Sequence, residues 1–207
     1  MATYYYNGAQ ILAPFSINSN SPVYDAETVS LKKIRATQGY QRWELSFECV
    51  ANDNIAEMFI ASVQHINLPK KMIMPQIKEV QDECTLTGST PGEASIWTGG
   101  ATQNASSVKI ANNDFISGIL KKGSFIKFHG HDKVYLLTAD LNMNSTSSYE
   151  EAYIFPKLNA PVPQTDTFRY GDLCELTYFQ DISNLQGMSF TDGILADMGS
   201  INLQEAL

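Results

Sequence analysis

The chain has 207 residues and a formal net charge of −8. That length suits one domain of ordinary size, and 43% hydrophobic residues make a packed core feasible and wholesale disorder unexpected. Charged residues reach only 17%, below the usual level of roughly a quarter, which suits a surface covered in an oligomer. The acidic balance argues against general phosphate-backbone binding, which needs a positive field. The basic clusters Lys32-Lys33 with Arg35, Lys70-Lys71 and Lys121-Lys122 are short, and a solvated face is the simplest reading of each.

Cys49, Cys84 and Cys174 are far apart, odd in number and outside any C-x-x-C pair. A disulfide framework or zinc knuckle is not expected; reduced thiols are. The N-terminal Met1-Ala-Thr-Tyr-Tyr-Tyr lacks a basic region followed by an apolar one, so no signal peptide is expected. No apolar run approaches the ~18 residues that cross a bilayer. The acceptor patterns at Asn104 and Asn144 therefore carry no implication of glycosylation.

In chain order, a first strand is expected over Val29 to Ala36, joined as a hairpin through Gly39 to the clearest strand, Gln41 to Val50. There Trp43, Leu45, Phe47 and Cys49 alternate with Arg42, Glu44, Ser46 and Glu48, the mark of a strand with one wet face. Asn54 with Glu57 resembles a capping box. Ile55, Met58, Phe59, Ser62, Val63 and Ile66 fall on one helical stripe, which Asn67 and Pro69 end. Lys71 to Lys78 is extended around Pro75. Residues 85 to 107, with Gly88-Ser-Thr-Pro-Gly and Gly99-Gly around Ile96-Trp97, read as a long loop or flexible hairpin serving as a contact arm.

A hairpin follows. Gly118-Ile-Leu-Lys-Lys-Gly-Ser leads into Phe125-Ile-Lys-Phe, then the turn His129-Gly-His-Asp, then Val134-Tyr-Leu-Leu-Thr. Ile126 and Phe128 share one face, and Phe125 and Lys127 the other. So much apolar surface needs a sheet or partner behind it. The stretch contains no nucleophile with a base, so it reads as a surface for assembly. A polar loop at Asn142 to Tyr149 precedes a strand at Ala152-Tyr-Ile-Phe that Pro156 halts. Residues 159 to 167 are extended but unpaired around Pro161 and Pro163. Phe168 to Phe179 is a strand with Cys174, Leu176 and Tyr178 on one face, and Ile201 with Leu203 mark a closing strand. The whole is read as one mainly β domain over 1–207, an antiparallel barrel or sandwich with one main helix and the arm at 85–107.

Chemical sites are scarce. His129 and His131 would share a face of a strand, but a metal needs a third ligand, and Gly130 favours an exposed hairpin tip. The acid pairs Glu150-Glu151, Asp82-Glu83 and Asp192 with Asp197 stand in polar contexts where carboxylates are solvated. Gly118 to Gly123 has a phosphate loop's glycine spacing, but Ser124 stands where the lysine belongs. No catalytic residue, metal or cofactor is expected. The residues marked for protein contact are Tyr4, Tyr5, Tyr6, Trp97, Lys121 and Lys122, because exposed Tyr and Trp bring contact area at small entropic cost.

The order of pieces resembles tail-tip and baseplate proteins of tailed bacteriophages, of the distal-tail type. The pieces are Gly39-Tyr-Gln-Arg-Trp-Glu-Leu-Ser-Phe, the helix with Ala56-Glu-Met-Phe, Gly118 to Phe128 with Lys133-Val-Tyr-Leu-Leu-Thr-Ala-Asp, Ala152-Tyr-Ile-Phe-Pro-Lys-Leu, and the terminal Glu205-Ala-Leu. The resemblance implies a non-enzymatic virion protein, made in the host cytoplasm. It would form a barrel-like domain in a homo-oligomeric ring, commonly a hexamer, joining tail tube to baseplate hub, with no membrane or specific nucleic acid as partner. Ser124, where the family is often acidic, and the stretch 85–107 depart from the pattern. The rival readings are a carbohydrate-binding module using loop aromatics and an enzyme of unrecognised type.

Overall fold

The computed structural model describes residues 5–6, 9–27, 33–37, 40–49, 69–88, 90–112, 116–144, 146–180, 189–191, 194–197 and 200–207. The protein is mainly β, with antiparallel sheets that curl into half-barrels, the barrel- or sandwich-like class expected from the alternation. The strands are β1 (Tyr5–Tyr6), β2 (Ala9–Asn20), β3 (Val23–Glu27), β4 (Lys33–Thr37), β5 (Arg42–Cys49), β6 (Lys70–Ile73), β7 (Glu93–Ser95), β8 (Ser107–Ala111) and β9 (Ile119–Leu120). They continue with β10 (Phe125–Phe128), β11 (Val134–Leu137), β12 (Leu141–Asn142), β13 (Tyr149–Phe155), β14 (Thr167–Tyr170), β15 (Glu175–Gln180), β16 (Ser189–Thr191), β17 (Ile194–Asp197) and β18 (Ile201–Glu205). A short helix, α1, covers Lys78–Asp82. The helix expected at 54–66 lies outside the described residues.

The chain divides into two compact units, one of Lys71–Thr177 and one of Thr3–Lys70 with Tyr178–Leu207. In chain order the first interrupts the second. The sequence carries no linker signal at either junction, because one falls inside β6 and the other inside β15.

In the unit built from both ends of the chain, the strands lie in the order β1-β2-β5-β18-β15, with Tyr178–Gln180 of β15 paired to β18. The alternation read in β5 is realised: Trp43, Leu45, Phe47 and Cys49 are buried, while Arg42 and Glu48 are exposed. Ile201 and Leu203 of β18 stand opposite Phe47 and Leu45 and are buried with them. On β5's other side β2 runs antiparallel, with an irregularity between Leu12 and Ser16. The hairpin expected between residues 29–36 and 41–50 is not formed: β4 pairs with β3, Asp25 opposite Arg35. Both edges of β5 are already taken by β2 and β18, which leaves no place for β4.

In the other unit six strands lie in the order β7-β14-β10-β11-β13-β8. The first and last also meet: Ile96 bridges Ile110, and the Trp97 N–H donates to the Lys109 carbonyl at 2.9 Å. The sheet thus curls until its ends are bridged, and each strand sends alternate residues inward. Those are Ala94 and Ile96, Val108 and Ile110, Ile126 and Phe128, Tyr135 and Leu137, Ala152 and Ile154, Phe168 and Tyr170, all buried in one cluster. Closure removes the exposed edges that make open sheets sticky. Leu158 and Val162 pack into the same core from the proline-rich segment.

The hairpin β10–β11 has the faces read from the sequence, with Ile126 opposite Tyr135 and Phe125 opposite Leu136. Residues 85–107 are less arm-like than expected, since they include β7 and bury Ala94 and Ile96. Their glycines are tight turns around a short strand: Gly92, Gly99 and Gly100 all take positive φ. Phe168 to Phe179 is not one strand but two, parted by a 3-10 turn at Gly171–Leu173, where Gly171 has φ +60°.

Candidate interaction face

Because Ala152 and Ile154 point into the barrel, Tyr149, Glu151, Tyr153 and Phe155 form the outward row of β13. Tyr153 is 47% exposed and Phe155 42%. Leu136, half-buried on β11, stands opposite Phe155 and extends the apolar surface across the sheet. On the other flank Glu151 stands opposite Lys109 and Tyr149 opposite Ala111 of β8. The Lys109 ammonium lies 4.4 Å from the centre of the Tyr149 ring, within cation–π range. Trp97, half-buried, packs on the same tyrosine with ring centres 5.5 Å apart and a tilt of 35°. The Glu151 carboxylate accepts a hydrogen bond from the Tyr153 hydroxyl and, with its charge, raises that phenol above its ordinary range.

Of the residues marked for contact, Trp97 belongs to this face. Tyr4 lies outside the described residues, and Tyr5 stands opposite Gln10 in the β1–β2 pair. Tyr6 is buried in its own unit, 5.4 Å from Phe47 and 6.0 Å from Tyr178 between ring centres. Its hydrophobic ring completes the inner face of the sheet, so it is core in the single chain. Lys121 pairs with Asp140 at 3.2 Å and Glu83 at 3.7 Å, while Lys122 is exposed with its N–H donating to Asp140 at 2.9 Å. The hydrogen bond and charge of Asp140 raise the Lys121 pKa, and the Lys122 N–H above all lowers that of Asp140. The row Tyr153–Phe155 is not among the residues marked for contact. Its signal is the alternation of aromatics with Ala152 and Ile154, masked because both sets are apolar.

The turn between Gly118 and Gly123 offers no phosphate cradle. Its N–H groups are spent within the protein, on Asn144 from Gly118, on Asp140 from Lys122 and on Leu137 from Gly123. Asp82 pairs with Lys78 at 2.9 Å; Glu150 and Glu151 are half-buried on β13; Asp192 and the side chain of Asp197 lie outside the described set. Among the described residues no group of three His, Cys, Asp or Glu side chains could hold a metal ion, and no helix is long and apolar enough to cross a membrane.

The histidine pair is split. His129 is exposed, but His131, expected at an exposed tip, is buried. Its Nδ1 lies 2.9 Å from the Tyr135 hydroxyl and its Nε2 3.3 Å from the Pro161 carbonyl. The turn folds back because the Asp166 carboxylate accepts the N–H groups of Gly130 and Thr167. A second buried polar group lies on the outside of β10. Lys127 donates to the Glu175 carbonyl at 2.9 Å and to the Thr177 hydroxyl at 3.3 Å, and Thr177 donates to Asp132 at 3.2 Å. Burial lowers the Lys127 pKa against the pull of Asp132.

No family model matches the chain, and no curated protein matches it.

Proposed function

We infer that the chain is a structural, non-enzymatic component of a bacteriophage tail tip or baseplate, which assembles with copies of itself into a ring between tail tube and hub. The motif order described above supports the phage setting. The observation that carries the assembly reading is the outward row of β13. On a barrel whose edges are bridged, Tyr153 and Phe155 keep 47% and 42% of their surface exposed, beside half-buried Leu136. Such a patch marks a surface for protein contact.

The test is a native mass measurement of the purified chain beside a variant carrying Tyr153→Ser and Phe155→Ser. The wild type should run as a defined multiple of the 22.9 kDa chain, and the variant at a lower multiple. A wild type that stays monomeric at all concentrations defeats the ring. The pair Trp97–Tyr149 gives the carbohydrate reading its one specific support, since two rings at an accessible face suit sugar stacking. A monomer with a specific glycan-array hit lost on Trp97→Ala would favour it.

A further inference from the structure

On the solvent side of β2, β5 and β18 the polar side chains stand in rows. Trp43, Leu45 and Phe47 point inward, which leaves Glu44 and Ser46 facing outward on β5. Asn18 of β2 and Gln204 of β18 flank Glu44, and Ser16 and Asn202 flank Ser46 in the same way. Neighbouring strands lie ~4.8 Å apart, so each row of three spans about 10 Å. The serines are short beside the side chains around them, and the surface sinks there. One hollow of about 130 Å³ lies between Asn18, Glu44, Ser46, Asn202 and Gln204. A second, of about 270 Å³, continues from Ser46 to Ser200, with Leu12, Phe15 and Glu48 along it.

The Glu44 carboxylate is held from both sides. Its Oε1 accepts from Asn20 Nδ2 at 2.7 Å and from Gln204 Nε2 at 3.3 Å. Each of these amides keeps its carbonyl oxygen for another donor. The Ser46 and Ser200 hydroxyls lie 3.3 Å apart on the floor. Glu44, Ser46, Asn202 and Gln204 are half-buried, while Asn18 is exposed at the rim. Among the described residues that line the two hollows there is no lysine or arginine.

This inventory selects a ligand. An anion would meet Glu44 and Glu48 with no cation to receive it. A hard metal ion takes several oxygen ligands, and the first hollow offers one carboxylate whose Oε1 already faces two amide donors. An apolar ligand would strip water from the amides and return no hydrogen bond. A hydroxyl group both donates and accepts, so a run of hydroxyls can meet carboxamides, serines and a carboxylate at once. The apolar side of a sugar ring then has Leu12, 40% exposed, and Phe15 to lie against.

We propose that the outer face of β2, β5 and β18 binds a neutral oligosaccharide, with Glu44 accepting a sugar hydroxyl and the carboxamides of Asn18 and Asn202 bracketing it. The hydrogen bond to the carboxylate is the strong one, because the acceptor is charged. The site involves neither Trp97 nor Tyr149 and does not rest on the ring assembly.

The experiment screens the intact chain on an array of neutral and anionic glycans, then titrates the strongest neutral hit into isotope-labelled protein by NMR. At least one neutral glycan should be retained, and its addition should shift the backbone N–H signals of residues 44–46 and 202–204. Affinity should fall about tenfold in Glu44→Gln, about fivefold in Asn18→Ala, and beyond detection in Ser46→Trp, which fills the hollow. Trp97→Ala should bind as the wild type does. Should Ser46→Trp fail to fold, the other variants decide. An array without a neutral hit overturns the site, as does binding that Glu44→Gln and Asn18→Ala leave unchanged or that Trp97→Ala removes. The same signals moving on simple dilution, with no glycan effect, would make this face a contact between copies and overturn it equally.

Discussion

Replacing Phe47 by Ala tests whether the inner face of β5 is the core of its unit. The ring is 2% exposed, faces Ile201 across the β5–β18 pair, and meets Tyr6 edge-on at 5.4 Å and 66°. Truncating a buried phenylalanine removes its transfer free energy and leaves a cavity, which together cost ~3–5 kcal/mol. The edge-to-face contact, worth ~0.5–1.5 kcal/mol, belongs inside that range. The two tryptophans make the measurement specific: Trp43 lies on the same face of β5 and Trp97 in the other unit. In a Trp97→Phe background, denaturant unfolding followed by tryptophan fluorescence therefore reports on Trp43 alone. Glu48→Ala, one residue along on the exposed face, is the control and should stay within about 0.5 kcal/mol. A loss below ~1 kcal/mol for Phe47→Ala, or an equal loss for Glu48→Ala, would refute the burial argument.

Cys49, 6% exposed, has its thiol pushed from 9.0 to about 12 by burial. A raised acid stabilises the fold below its unfolded value and the benefit is lost as pH rises through 9 toward 12. Between pH 8 and 10, then, Cys49→Val should lose about 1.4 kcal/mol less stability than wild type, one tenfold step of ionisation; identical losses would rule out a buried thiol. Lys127 has the opposite sign. Its folded affinity lies below the ordinary 10.5, so the unfolded chain binds more protons between those values and the penalty is relieved as pH rises. The stability of Lys127→Met relative to wild type should be highest near neutrality and decline toward pH 10.5; a difference independent of pH would mean that the ammonium is solvated. Gly118→Ala should cost far more than Gly99→Ala in unfolding followed by Trp97. Both positions have positive φ, but a Cβ at 118 would lie 2.2 Å from the Thr85 carbonyl while the one at 99 meets open space. Strain alone is on the order of 1–3 kcal/mol, and equal costs would contradict the close approach.

How much could be read beforehand depended on whether a strand has one wet face. β5 does, and its face and inner residues were legible from Trp43 to Cys49. β18 was legible for the same reason, through Ile201 and Leu203. The β10–β11 hairpin could be assigned its faces because Ile126 and Phe128 alternate with Phe125 and Lys127, but not its surroundings. Lys127 marks a wet face by type and is nevertheless buried, held by Glu175 and Thr177 some fifty residues later. Pairings of that range leave no local trace, which is also why the sequence suggests β4 beside β5 and not beside β3. His129-Gly-His-Asp has the composition of a turn, which suggests an exposed tip for His131. The carboxylate that folds the turn inward is Asp166, distant in sequence and unremarkable there.

The outward row of β13 is hidden in the sequence by the property on which the proposed contact rests. Ala152 and Ile154 inside, with Tyr153 and Phe155 outside, give a strand apolar on both faces, and period two then has no polarity to reveal which side is core. In a free-standing barrel selection for solubility would put polar residues on the outer positions, as it does at Arg42 and Glu48 of β5. Tyr153 and Phe155 stand at such positions yet are aromatic, and neither serves the interior, which is filled by their neighbours. A second protein surface is the reading that gives these aromatic side chains a use, and on that account Tyr153→Ser and Phe155→Ser should leave the unfolding of the isolated chain nearly unchanged while removing association.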